Sequence, residues 1–146
     1  ADKSKRTEAL VCVLQHYQPT STLVFCNTKL LTDEVASSLR QYGFSALPLH
    51  GDLVQRDRDN RLVQFVNKSL SILVATDVAA RGLDIDSLDL VVNYHLSRDS
   101  EVHTHRVGRT GRAGKTGVAC SLFDNHYPVS RWVNITRTFT PSARQW

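Results

Sequence analysis

The chain has 146 residues, with 18 lysines and arginines against 14 acids for a net charge of +4, and 41% hydrophobic against 22% charged residues. That length and balance describe one soluble domain with a core of its own and a slight bias toward acidic partners. They argue against a membrane span, a signal peptide and a disulfide or zinc framework, since Cys12, Cys26 and Cys120 lie far apart without CxxC or Cys/His spacing and read as reduced, buried thiols of a cytosolic protein.

In chain order, residues 7–17 predict a helix with Leu10, Val13, Leu14 and Tyr17 on one face. TLVFC (22–26) reads as a buried strand. Residues 29–42 predict a second helix, apolar at Leu31, Val35 and Leu39 and closed by Gly43. A strand at 45–49 and a helix at 55–67 follow, the helix turning Leu62, Phe65 and Val66 inward. SILVA (71–75) and LDLVVNY (88–94) are strands, and a helix near 100–106 and a strand at 118–123 complete the set. This alternation predicts an α/β fold in three layers, a parallel sheet with helices on both faces, over residues 1–123. Residues 124–146 carry Arg131, Arg137 and Arg144 against Asp124 alone and show no sustained period. They read as a separate basic tail, open to disorder.

In such sheets functional groups collect beyond the carboxyl ends of the strands. The unusual polar clusters fall there: CNT after the first strand, HGD after the second, TD…ARGLD after the third and HRVGRTGR (105–112) after the fourth. In the last, Arg106, Arg109 and Arg112 recur at steps that align them along one helical side, and Gly108 and Gly111 leave room for close approach. These permanent, mutually repelling cations suit a polyanion, above all a phosphoryl group in transfer, although an isolated basic run is more often a solvated face.

The other clusters each leave alternatives. Asn27 and Thr28 precede a helix whose free N–H groups favour an anion, or Thr28 simply caps it. Arg58, one turn after Gln55, opposes the helix dipole, so it serves an external anion or pairs with Asp57 or Asp59. Asp77 could be a cap, and Asp84 a metal ligand, a ribose-hydroxyl acceptor or a surface acid. His103 and His105 lack a third metal ligand, and nothing resembles a nucleophile–base–orienter triad.

Together, LVFCNT (23–28), HGDLVQRDR (50–58), ILVATDVAARGLDI (72–85) and HRVGRTGRAG (105–114) resemble the motifs of the C-terminal RecA-like lobe of DEAD-box RNA helicases. The resemblance covers about residues 5–123. Within that family, HGDLVQRDRD and VATDVAARGLDI are most similar to the bacterial DbpA-type members, which act on ribosomal RNA during ribosome assembly.

The resemblance implies a cytoplasmic, ATP-dependent RNA helicase, with RNA (ribosomal RNA in particular) and the N-terminal lobe of the same protein as partners. Arg109 and Arg112 match fingers that reach the γ-phosphate of ATP held by that lobe. Asp84 matches the acid on the ATP ribose, with Gly82 admitting a close backbone approach. His105 and Arg106 match residues that couple the lobes. Asn27, Thr28, Gly51, Gln55, Arg58, Thr76 and Asp77 match the grip on the RNA backbone, which positions a strand without reading it. The sequence contains no GxxxxGK[ST] loop, DEAD tetrad or SAT, so Mg2+ is assigned to the other lobe and no metal to this chain. With no methionine, even at position 1, the chain reads as a processed product or an excised fragment, inactive alone. The competing reading is a stand-alone RNA-binding or protein-interaction module. A DNA helicase lobe fits the arginine motif less well. The tail departs from DbpA-type members, which continue into a helix and an RNA-binding domain.

Overall fold

The computed structural model describes residues 3–81, 88–94, 117–122 and 133–139. The elements in order are α1 (Lys3–Tyr17), β1 (Thr22–Cys26), α2 (Lys29–Gln41), β2 (Ala46–Leu49), α3 (Gln55–Val66), β3 (Ile72–Thr76), α4 (Asp77–Ala80), β4 (Leu90–Asn93), β5 (Gly117–Leu122) and β6 (Val133–Phe139). The strands form one sheet in the order β2-β3-β1-β4-β5-β6. The first five of that order run parallel, and β6 is antiparallel to β5.

Strand β1 is apolar without alternation because it is central and buried along its whole length, with Thr22 opposite Ile72 on one side and Leu90 on the other. The side chains divide by parity. Val24, Cys26, Ile72, Val74, Leu90 and Val92 pack with α1 and α2. Leu23, Phe25, Leu73, Ala75 and Val91 pack with Phe65 of α3 and with Ala79 and Ala80 of α4. The sheet is thus the middle of three layers, as the sequence predicts. The chain moves outward from β1 to β2 through α2 on one face and returns to β3 through α3 on the other. Reversing direction and face together keeps both crossovers of one hand.

Helix α2 buries Leu31, Thr32, Val35, Ala36 and Leu39. It closes in a Schellman turn, with Phe44 N–H donating to Leu39 O (3.0 Å) and Gly43 N–H to Arg40 O (3.0 Å). Gly43 sits at φ +93°, so glycine there is required by the backbone.

Several expectations need correction. Cys12 lies on the solvent side of α1 and is exposed, whereas Cys26 is buried as expected. Val66 is 69% exposed while Phe65 of the same helix is buried: adjacent positions of a helix point about 100° apart, and only one meets the sheet. The four-residue α4 is too short to carry a period, and the sequence reading has no element there. Most important, the tail contributes β6, where that reading assigns no strand. In β6, Val133, Ile135 and Phe139 alternate with Asn134, Thr136 and Thr138, and Arg137 breaks the apolar series. The strand also carries an irregularity, since Ala119 pairs with Arg137 and Cys120 with Ile135, skipping Thr136. It gains its place by pairing with the edge that β5 would otherwise leave open. The helix expected near 100–106 lies outside the described residues.

Asp89 staples the amino ends of β1 and β4. Its Oδ2 accepts from Thr20 N–H (2.8 Å) and Thr20 Oγ1 (2.6 Å), and its own N–H donates to Ser21 O (3.1 Å). Burial opposes the charged form, but the Thr20 hydrogen bonds and Lys68 outweigh it and hold the carboxyl below the ordinary value of 3.8. A folded-state pKa below the unfolded one means stability that is present above the unfolded value and lost as pH falls through the folded one. Asp89→Ala is therefore expected to lower unfolding free energy by about 1 kcal/mol at neutral pH. In denaturant titrations the gap between variant and parent should close as pH drops below the ordinary carboxylate range. A gap that persists undiminished in strong acid would assign the loss to packing instead.

Candidate nucleic-acid interface

Because β1, β2 and β3 are parallel, their carboxyl ends share one edge. Register sets Leu49 beside Ala75 and Cys26 beside Thr76, so the segments that follow β2, β3 and β1 leave in that spatial order. Next to each other in the sheet, β3 and β1 send their connections in opposite directions, the kind of switch point at which open α/β sheets bind ligands. Asn27 and Thr28, His50 and Gly51, and Thr76 and Asp77 all sit on this edge: Thr28 leads directly into α2 and Thr76 into α4, while residues 52–54 separate Gly51 from the start of α3.

Two threonines cap two of those helices. Thr28 Oγ1 accepts from Leu31 N–H (3.2 Å), and Thr76 Oγ1 accepts from Ala79 N–H (3.2 Å). A hydroxyl that accepts in this way keeps its own proton to donate elsewhere. Capping and binding an external anion are therefore compatible at Thr28, which is exposed along with Asn27. Thr76 is recessed, at 9% exposure. Asp77 occupies the first turn of α4 and is half-buried.

The loop after β2 is held by a buried histidine. His50 Nδ1 accepts from Asp52 N–H (3.2 Å), which leaves the proton on Nε2, 3.1 Å from Asp33 Oδ1 on α2. Asp52 also accepts from Lys29 Nζ at 3.0 Å, and this hydrogen bond and charge hold its carboxyl below the ordinary range. Between them, Gly51 is exposed. A methyl group added there would meet only Lys29 Cε and Nζ, at 3.8 and 3.9 Å, which is ordinary contact. The fold thus has no steric need of a glycine at 51. Gly51→Ala is expected to change stability by less than about 0.5 kcal/mol, as for unconstrained surface positions, while weakening RNA binding if the backbone there must approach a ligand. Thermal melts and RNA titrations of the variant separate the two effects.

Helix α3 starts without a side-chain cap, since its N-cap is Val54. Gln55 Nε2 donates to Asp59 Oδ1 at 2.8 Å. Arg58 is half-buried, its Nε is enclosed without a hydrogen-bond partner, and among the described residues no ion pair joins it to Asp57 or Asp59. A cation and N–H groups without a side-chain cap share this helix start with one first-turn acid, Asp57.

The structure brings Asn27, Thr28, Gly51, Gln55, Arg58, Thr76 and Asp77 to one edge. Gly82, Asp84, His105, Arg106, Arg109 and Arg112 lie outside the described residues. Sequence reasoning did not name Lys29, Asp33, His50 or Asp52 as a linked set, and spacing alone carries no signal for a hydrogen bond between α2 and the loop after β2. Among the described residues no group of three or more His, Cys, Asp or Glu is placed to hold a metal, and no helix is long and apolar enough to cross a membrane.

A three-layer α/β domain with a parallel central sheet and polar clusters at the carboxyl ends of its strands is the architecture of RecA-like lobes. The chain belongs to the helicase family described as the helicase conserved C-terminal domain, which it matches over residues 5–114, and within it to the C-terminal RecA-like lobes of DEAD-box proteins. It is 61% identical over 110 residues to ATP-dependent RNA helicase DbpA of Escherichia coli, covering 75% of this chain and 24% of that protein. It is 51% identical over 137 residues to ATP-dependent rRNA helicase rrp3 of Emericella nidulans, covering 94% of this chain and 29% of that protein. Among solved structures, the E. coli DEAD-box protein SrmB, bound to regulator of ribonuclease activity A, superimposes with a TM-score of 0.78 at 37% identity, over 83% of this chain and 71% of that one. A DEAD box protein from Methanococcus jannaschii does so with a TM-score of 0.74 at 47% identity, over 83% of this chain and 33% of that one. The chain spans about a quarter of the length of the curated relatives it matches.

Proposed function

We propose that the chain is the C-terminal lobe of a cytoplasmic ATP-dependent RNA helicase, supplying half of the RNA grip and the arginines that meet ATP held by an N-terminal lobe. The observation that carries the RNA half is Arg58, whose enclosed Nε has no partner among the described residues, beside the uncapped start of α3. An RNA backbone along the carboxyl edge would receive the guanidinium of Arg58, the hydroxyl protons of Thr28 and Thr76, the amide of Asn27 and backbone N–H groups near Gly51. Gln55 and Asp77 hold the starts of α3 and α4 in place. Such contacts go to phosphate and sugar and leave the sequence unread. Relatives named as rRNA helicases support ribosomal RNA as the target and ribosome assembly as the setting.

ATP is the second substrate. Arg109 and Arg112 face its γ-phosphate, Asp84 its ribose with Gly82 allowing the approach, and His105 and Arg106 transmit between lobes. Mg2+ stays with the N-terminal lobe. The motif order of the sequence and the ATP-dependent naming of its relatives support this half.

The test is Arg58→Ala in the full-length helicase, titrated with two unrelated single-stranded RNAs at several salt concentrations. Binding should weaken alike for both strands, and the salt slope should fall by about 0.7, one phosphate's share on a single strand. Thr76→Val should weaken binding with no change in slope, and should also destabilise the domain by about 1 kcal/mol through the lost cap. Weakening confined to one RNA would replace backbone grip with base readout. Binding undiminished in both variants would favour a protein-interaction module.

A further inference from the structure

The loops that follow β1 and β2 are not neighbours in the sheet. Strand β3 lies between them, so β1 and β2 stand two strand spacings apart, about 10 Å, and no ladder hydrogen bond joins them. Helix α2 bridges the gap. Lys29 and Asp33, one turn apart on α2, both reach the loop after β2, Lys29 to Asp52 at 3.0 Å and Asp33 to His50 at 3.1 Å. The first link joins side chains that are 54% and 70% exposed, where an ion pair contributes little. The second ends on a side chain only 7% exposed, so the bridge depends on His50.

Within the loop the same residue sorts the backbone donors. Residues 50–53 form a β-turn in which Leu53 N–H donates to His50 O at 3.3 Å. That bond leaves over the N–H groups of the two central residues. His50 Nδ1 takes the one from Asp52, at 3.2 Å. The other, on the exposed Gly51, has no partner among the described residues.

Volume alone does not explain an imidazole here, since a phenylalanine would fill similar space without burying two nitrogens. What the ring adds is an acceptor and a donor on one rigid frame. The acceptor settles Asp52 N–H inside the turn, and the donor ties the turn to α2, whose first residue follows Thr28. Binding groups on loops keep their geometry only when neighbouring hydrogen bonds support them. We propose that His50, held by Asp33, is a positioning residue of the RNA grip: it leaves Gly51 N–H as the outward donor of the turn and fixes the placement of that donor relative to Thr28. The inference rests on the reading of the loop after β2 as part of that grip.

The test is binding of a single-stranded oligoribonucleotide by the full-length helicase without nucleotide, with variants whose thermal melts show them folded. His50→Phe keeps a ring and removes both nitrogens. It should weaken binding about three- to tenfold, the scale of one hydrogen bond's net contribution. His50→Asn, whose amide oxygen can still accept from Asp52 N–H, should recover part of that loss, and Asp33→Ala should reproduce part of it. Gly51→Pro deletes the outward donor at a turn position where proline is favoured, and should weaken binding by itself. Adding His50→Phe to Gly51→Pro should then cost less than about twofold, because the donor that His50 positions is gone. Folded His50→Phe with affinity within about twofold of the parent, while Gly51→Pro binds weakly, overturns the proposal. So does a His50→Phe loss as large in the Gly51→Pro background as in the parent, the mark of a merely structural role. Should His50→Phe fail to fold, parental affinity in Asp33→Ala overturns it equally. Parental affinity in Gly51→Pro would locate the failure in the assignment of this loop to the RNA grip, and the proposal would fall with it.

Discussion

Alanine at Arg109 or Arg112 in the full-length helicase is expected to reduce ATP turnover by roughly 10³- to 10⁵-fold, the range measured for arginine fingers. That range corresponds to about 4–7 kcal/mol of transition-state stabilisation. Phosphoryl transfer leaves a protein little covalent work, so charge aimed at the equatorial oxygens carries most of the acceleration. The loss should fall on kcat, because the interaction strengthens only as charge develops. Lysine should rescue poorly, since a point charge cannot reproduce a planar fork. RNA affinity without nucleotide should hold, because the proposed grip lies at the starts of α2, α3 and α4. Steady-state kinetics with saturating RNA, paired with nucleotide-free titrations, measure both. A loss under about tenfold in both variants would leave the octet with some purpose other than transfer.

The 146-residue chain by itself is expected to fold and to hydrolyse no ATP. Folding follows from a sheet covered on both faces, with Leu10, Leu23, Leu39, Leu73 and Leu90 fully buried. Inactivity follows from chemistry: the lysine and phosphate loop that hold a triphosphate, and the acids that hold Mg2+, are not in the sequence. Arginines stabilise a charge that other groups must first bring into line, and alone they have nothing to act on. RNA should bind weakly and in a salt-sensitive manner, through part of one surface. Phosphate release above background by purified chain with RNA present, at a level that survives repeated purification and disappears in Arg109→Ala, would overturn this expectation.

Legibility in the sequence followed burial and length. TLVFC announces β1 to the residue, because a strand buried on both faces must be apolar throughout and is bounded by turn residues. Helix α2 is legible from its stripe and from Gly43. Strand β6 was not, because an edge strand tolerates Asn134 and Arg137 and owes its existence to β5. Among the described residues, the clusters that follow β1, β2 and β3 do converge, since parallel strands put like ends together. What each group does there is set by partners distant in sequence. Gln55 turns to Asp59, leaving Arg58 open, and His50 reaches across to Asp33. Arg6 is the hardest case: a basic residue early in a helix reads as solvent-facing, and only the carbonyls of Tyr94 and Leu122 explain its burial.

The strand order also governs how the domain comes into being. Its central strand, β1, is made early, but its neighbours are β3 and β4, so Thr22 waits for Ile72 on one side and Leu90 on the other. During synthesis the ribosome must therefore deliver the chain through Asn93 before β1 is flanked on both sides. Until then, LVFC stands as an apolar ribbon with open backbone edges, the kind of surface that recruits neighbouring nascent chains or holding factors. Long-range parallel pairing of this sort also slows closure of the sheet. The domain thus passes through an aggregation-exposed interval, which ends only when β4 docks beside β1.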